Sequence, residues 1–148
     1  MELLRNFEIN GYKAALEFYP RSLSNLAHYD LNIEHDLVNI AYMKACITEV
    51  DSDVKIYGSS VSPPYRNQKL GISMYVWFVD YLLDLGFVVN SDNMVSPSAM
   101  NIYAALKRRG YQIVDNPTIE PINQNHPTIH RVTTDRQPLF KILNNGIT

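Results

Sequence analysis

The 148-residue chain is 46% hydrophobic and carries 15 acidic against 13 basic residues, a formal charge of −2. That length and apolar fraction suit one domain, residues 1–148, with its own core, and the charge balance argues against a generally basic nucleic-acid surface. A lone cysteine, Cys46, excludes an internal disulfide, and with no secretory leader evident a reducing, cytoplasmic setting is expected.

The first elements read as an antiparallel meander. Asn10-Gly11 separates two alternating runs, Leu3 to Ile9 and Tyr12 to Tyr19, which predicts a hairpin. Arg21 to Ala27 has room only for a turn or one short helix. His28 to Ile33, Leu37 to Thr48 and Lys55 to Val61 follow as further strands. Cys46 falls inside the apolar run Ile40 to Ile47, which marks it as a small hydrophobe rather than a nucleophile.

From Val61 the pattern changes. A polar loop, Ser62 to Lys69, leads straight into Leu70 to Leu85, where Ser73, Trp77, Asp80 and Asp84 form a narrow stripe on an otherwise apolar helix. With two aspartates and about 16 residues it is too short and too charged to span a membrane, which takes about 20 apolar residues. A strand turning directly into a helix leaves the first helical N–H groups unpaired; with the positive end of the helix dipole they suit a pyrophosphate. Gly86 ends the helix, and Phe87 to Asn90 reads as a short buried strand.

Ser96 then serves as N-cap, Pro97 as first helical residue and Gly110 as stop for a second helix. Ala99, Ile102, Tyr103 and Leu106 form its buried face, and Lys107-Arg108-Arg109 is a solvated, dipole-complementing end. Tyr111 to Val114 is a strand, Asp115 to Pro127 a long loop with three prolines, and His130 to Thr134 and Leu139 to Leu143 are closing strands. His126 and His130 stand four apart, but Pro127 opposes a helix there and a third ligand is lacking, so no metal site is expected.

Val61-x-Pro63-x-Tyr65-Arg66, followed by a glycine-containing helix start, resembles motif A of the GCN5-related (GNAT) N-acetyltransferases. Anchored this way, the family's Arg/Gln-x-x-Gly-x-Gly/Ala places Arg66 first, Lys69 at the first glycine and Gly71 at the second. A shifted register, Gln68-x-x-Gly71-x-Ser73, gives up that anchor. Leu106 to Tyr111 resembles the family's Tyr-x-x-x-Gly-Phe. The resemblance implies a mixed α/β fold: a mostly antiparallel sheet with a V-shaped splay between two parallel central strands, flanked by helices. It implies acetyl-CoA as co-substrate, held by Val61, Arg66, Asn67, Gln68, Lys69, Leu70, Gly71 and Ile72. The family asparagine near the pantetheine arm would fall at Ala99, which moves that contact to Asn93, Ser96 or Ser98.

The resemblance further implies direct transfer of acetyl to an amine, with the Val61 N–H polarising the thioester carbonyl. The family's acidic tyrosine falls on Leu106, and Tyr103 lies one turn earlier on nearly the same face. Tyr103 is therefore the candidate acid, or else a core tyrosine. Glu49 is the candidate base, with Asp51 and Glu34 beside it. The resemblance implies an amine acceptor, a small molecule or a protein or aminoacyl-tRNA; the short front half points to a large macromolecular acceptor or to a homodimer in which a second copy supplies the acceptor wall. Compact versions of this kind resemble those of bacteriophages. The other reading is a non-catalytic GNAT-like binding or inhibitory module.

Overall fold

The computed structural model describes residues 1–48, 52–117, 119–120, 131–133 and 137–144. Five strands open the chain as a meander: β1 (Glu2–Ile9), β2 (Tyr12–Tyr19), β3 (His28–His35), β4 (Val38–Ile47) and β5 (Asp53–Val61). Asn10 and Gly11 both take positive φ, 52° and 83°, as the tight turn between β1 and β2 requires. Asp36 and Leu37 do the same between β3 and β4, at 51° and 65°. That second turn contains no glycine, and β3 runs to His35 rather than ending at Ile33 as its sequence suggests. No helix forms across residues 20–27.

A single 3-10 turn, Pro63–Tyr65, leads to helix α1 (Leu70–Asp84); β6 (Val88–Asn90), β7 (Met94–Val95) and helix α2 (Pro97–Arg108) follow. The remaining strands are β8 (Ile113–Asp115), β9 (Ile119–Glu120), β10 (Arg131–Thr133) and β11 (Phe140–Ile142). The main sheet has eight strands in the order β1-β2-β3-β4-β5-β6-β11-β8, and β7-β10-β9 form a small second sheet. All pairs in the main sheet are antiparallel except β5 with β6. The closing strand therefore inserts between β6 and β8.

Period-two alternation sends Leu16, Leu31, Met43 and Val54 to one face, where Met74, Phe78 and Leu82 of α1 complete a solvent-free core. Helix α2 lies on this face too: Tyr103 meets Tyr75 of α1 edge-on at 5.9 Å and stacks on Phe140 at 4.6 Å. Along the stripe of α1, Trp77 stacks on Phe7 at 4.1 Å, and Asp80 accepts a hydrogen bond from the Tyr111 hydroxyl. The opposite face of the sheet is polar. Glu17, Asp30 and Lys44 form one cross-strand row, and His28, Cys46, Lys55 and Asn90 the next. Among the described residues no helix covers it. Cys46 thus sits half-buried on a polar face, its thiol pKa raised by burial, instead of inside the core.

Asp30 is the misfit of that face. It is 9% exposed, its Oδ1 has no hydrogen-bond partner among the described residues, and His28 Nε2 stands 3.8 Å away. Burial raises its pKa above the ordinary 3.8, against the opposing pull of Lys44 and His28. A raised carboxyl pKa means the folded state prefers the protonated form, so ionisation above pH 3.8 costs stability. Asp30→Asn is therefore expected to raise Tm at pH 7. The gain should shrink as pH falls through the raised pKa and level off only below 3.8, where the parent carboxyl is protonated in both states. Thermal melts at pH 7 and pH 4 check this.

Candidate functional site

Strands β5 and β6 pair only through Asp53–Val88, Val54–Val89 and Lys55–Asn90. Beyond Lys55, β5 stays paired with β4 as far as Val61, whereas β6 ends at Asn90, so the sheet splits open between two parallel strands. A bulge sharpens the divergence: Lys44 faces Gly58 and Ala45 faces Ile56, leaving Tyr57 extra on β5. The Ser62 N–H donates to the Ile40 carbonyl. Since N–H directions alternate along a strand, the N–H groups of Val61 and Ser59 point the other way, into the split. Val61 thus faces the space that its proposed role requires. Its carbonyl is taken by Arg66 Nε at 2.9 Å, a bond that folds the loop back against the strand.

The two helices end differently at their N-termini. Ser96 caps α2 by accepting the Ala99 N–H at 3.2 Å. Lys69, the N-cap of α1, offers no side-chain acceptor, and no acidic residue occupies the first turn. The first intrahelical bond of α1 is from Ser73 N–H to the Lys69 carbonyl, so the N–H groups of Leu70, Gly71 and Ile72 lack intrahelical acceptors. They open onto a cleft of about 610 Å³. Val61, Arg66, Asn67, Lys69, Leu70, Gly71, Ile72 and Ser98 all line it. An added Cβ on Gly71 would stand 3.5 Å from Ile102 and 3.9 Å from Val61, filling the space between the helices. These are ordinary van der Waals distances, so a methyl would pack there without a clash, and the backbone angles do not call for glycine. Ala99 and Ile102, expected in the core, remain half-exposed because they form this wall.

Two expected binding side chains lie elsewhere. Gln68 accepts from the Tyr12 hydroxyl at 3.1 Å and donates to the Pro64 carbonyl, which turns it toward the first hairpin. Asn93 lines neither this cleft nor the cavity beneath it; its N–H donates to Asp92 Oδ1 at 2.8 Å. Glu49 and Asp51 lie outside the described residues, as do His126 and His130. Glu34 is exposed on the polar face, bordering a groove near the first hairpin.

Adjoining the cleft, and sharing Ser59, Tyr75, Ser96 and Ala99 with its lining, is a smaller cavity of about 280 Å³. Tyr103 is 2% exposed and lines it, while Leu106, at the family's tyrosine position, is sealed in the core. The Tyr103 hydroxyl has no hydrogen-bond partner among the described residues, whereas Tyr75 hydrogen bonds to Ser59 Oγ at 2.7 Å. Burial, then the phenol of Tyr75 and the charge of Asp92, hold the Tyr103 pKa well above 10. Asp92 also lines this cavity, and its sequence setting, Ser-Asp-Asn after a short strand, gives no sign of it.

No family model matches the sequence, and no curated protein matches it. Solved structures do resemble the fold. The IAA acetyltransferase of Bacillus cereus superposes with a TM-score of 0.54 at 12% identity, over 87% of this chain and 98% of that one. The ribosomal-protein-S18-alanine N-acetyltransferase of Escherichia coli gives 0.51 at 18% identity, over 78% of this chain and 65% of that one. Diaminobutyrate acetyltransferase from Paenibacillus lautus, solved with its substrate and coenzyme A, gives 0.50 at 15% identity, over 76% and 68%. With the split between parallel strands, these likenesses establish the fold as that of the GNAT N-acetyltransferases.

Lys69 stands where that fold's motif has glycine, and it adopts left-handed angles, φ 62° and ψ 13°. A side chain there costs about 1–2 kcal/mol, partly offset by the greater unfolded-state freedom of glycine. Lys69→Gly is expected to stabilise the protein by about 0.5–1 kcal/mol, read as a higher denaturation midpoint at unchanged slope.

Proposed function

We propose that the protein is an acyl-CoA-dependent N-acetyltransferase that transfers acetyl from acetyl-CoA to an amine. The observation that carries this is a pair of adjoining cavities at the split sheet: an uncapped helix N-terminus opens onto one, and the other is lined by a buried tyrosine whose hydroxyl has no hydrogen-bond partner among the described residues. The fit to acetyl-CoA is chemical as well as spatial. The amides of Leu70, Gly71 and Ile72 with Lys69 and Arg66 suit a pyrophosphate, and the gap kept by Gly71 leaves room beside them. Acetyl-CoA supplies an activated thioester. Val61 N–H polarises its carbonyl, and Tyr103 donates a proton to the departing sulfur. The same burial that keeps Tyr103 protonated raises the proton affinity of a thiolate formed beside it.

The acceptor is an amine. The structural neighbours named for their acceptors act on targets as different as a ribosomal protein and diaminobutyrate. The uncovered polar face favours an acceptor that need not be enclosed, which admits a protein or aminoacyl-tRNA as well as a small molecule, and leaves space for a second copy as the missing wall. The non-catalytic reading rests on Lys69, Leu106 and the short front half, and turnover that depends on Tyr103 would decide against it.

Acetyl-CoA at saturation is expected to raise the melting temperature of the parent protein and not of Gly71→Glu, whose carboxylate would occupy the cleft beside the helix N-terminus. A parent protein without any shift rejects the cofactor site. Tyr103→Phe should lower kcat about 10²-fold with little change in acetyl-CoA affinity. A folded variant with parental kcat removes Tyr103 from the chemistry and returns it to the core.

A further inference from the structure

We infer that the open edge of β1, with the groove between it and α1, is a docking surface for an extended segment of another protein that carries basic side chains on alternate residues. The inference is independent of the acetyltransferase reading, because this groove shares no lining residue with the cofactor cleft.

β1 is the outermost strand of the main sheet, and among the described residues no strand pairs with its outer side. The two-residue turn makes Ile9 and Tyr12 a hydrogen-bonded pair. By alternation Phe7 bonds to β2, while Asn6 and Glu8 turn their N–H and C=O groups outward. Edge strands are commonly guarded by lysine, proline or an inward-pointing charge. β1 holds neither lysine nor proline, and its one cation, Arg5, lies over the rings of Trp77 and Tyr81, 5.8 Å from each centroid. The irregularity between Leu3 and Arg5 leaves a regular stretch from Arg5 to Ile9, about 17 Å at about 3.4 Å per residue.

Alongside that stretch runs a groove of about 580 Å³ on the helix side of the sheet. Arg5, Glu8 and Ile9 border it on β1, and its opposite wall is the α1 stripe of Ser73, Trp77, Asp80 and Asp84. At about 1.5 Å per residue, Ser73 to Asp84 also measures about 17 Å, so edge and groove fit the same short strand. A segment added to β1 would send every second side chain into the groove, about 6.8 Å apart. Asp80 and Asp84, one turn apart on the wall, are spaced by about 6 Å. Both are exposed, and neither is ion-paired among the described residues. Asp80 accepts only from the Tyr111 hydroxyl, a neutral group that leaves its charge uncompensated. Glu8 is a third carboxylate on the lining, against Arg5 and Arg109. Arg5 is engaged with the rings, and Arg109 stands at the C-cap of α2. The wall therefore matches basic side chains at Asp80 and Asp84, with an apolar one beside the half-buried Trp77.

Fluorescence anisotropy with a labelled peptide, Thr-Val-Thr-Lys-Thr-Lys-Thr, tests this. The parent protein should bind it saturably, at least about tenfold tighter than its fully N-methylated counterpart, which keeps the charges and loses the donors. Asn6→Pro removes an outward N–H at an edge position that admits proline, and should weaken binding about tenfold. Asp84→Lys should weaken it by about the same factor. Should Asn6→Pro not fold, the N-methylated comparison on the parent protein decides. Gly71→Glu should bind the peptide as the parent does, so a failed acetyl-CoA site leaves the docking surface standing. No saturable binding up to about 1 mM, equal binding of the N-methylated peptide, or parental binding by Asp84→Lys overturns the inference. A parent protein that is dimeric, and monomeric as Asn6→Pro, also overturns it by giving the edge to a second copy.

Discussion

Three residue pairs between two parallel strands govern the rest of the molecule. Because β5 and β6 hold together only from Asp53 to Lys55, the sheet is continuous at one end and open at the other. The open end exposes N–H groups that a continuous sheet would consume, lets a buried tyrosine reach a cavity, and connects two faces that would otherwise be separate. A longer β6 would satisfy more of the backbone and close the site. The unpaired stretch of β5 keeps its shape because β4 holds its other edge through the bulge to Val61. One side of the strand supplies rigidity and the other faces the open split.

The helices divide the remaining work unequally. α2 is self-sufficient, capped by its own serine and closed by basic residues in its last turn. α1 is anchored instead by burial, with Leu70, Met74, Phe78 and Leu82 sealed against the sheet. Such a helix can leave its N-terminal amides unpaired, since packing rather than capping holds it. The strain at Lys69 belongs to the same trade: a left-handed residue at the loop exit aims those amides at the cleft.

Most elements were legible in the sequence because their signals are local. Asn10-Gly11, Ser96-Pro97, Gly86 and Gly110 each mark a boundary through their own backbone preferences, and the run from Leu70 to Leu85 has only one way to bury itself. Val61, Arg66, Asn67 and Lys69 to Ile72, close together in sequence, line one cleft with Ser98 of α2. What was not legible depends on who sits opposite. Asp36-Leu37 makes a tight turn without glycine because the two strands beside it enforce the angles. The small sheet β7-β10-β9 pairs residues far apart in sequence. Gln68 turns away because Tyr12, 56 positions earlier, offers it a hydroxyl. Asp92 looks like an ordinary turn residue until the split places it beside Tyr103, and Tyr103 is distinguished from Leu106 only by the cavity on one side of α2.

The placement of β11 gives the molecule an order of assembly. The first five strands form by successive hairpins, with contacts close in sequence, and such local pairings form quickly. β11 has to enter between β6 and β8, elements already synthesised, and so it is the last piece of the main sheet to be made. The amides of Leu139 and Phe140 are what fasten Ser91 and Asp92. On a growing chain, the cleft at the α1 N-terminus is thus complete in sequence well before the opposite mouth of the split is fixed, and the two sides of the split mature at different times.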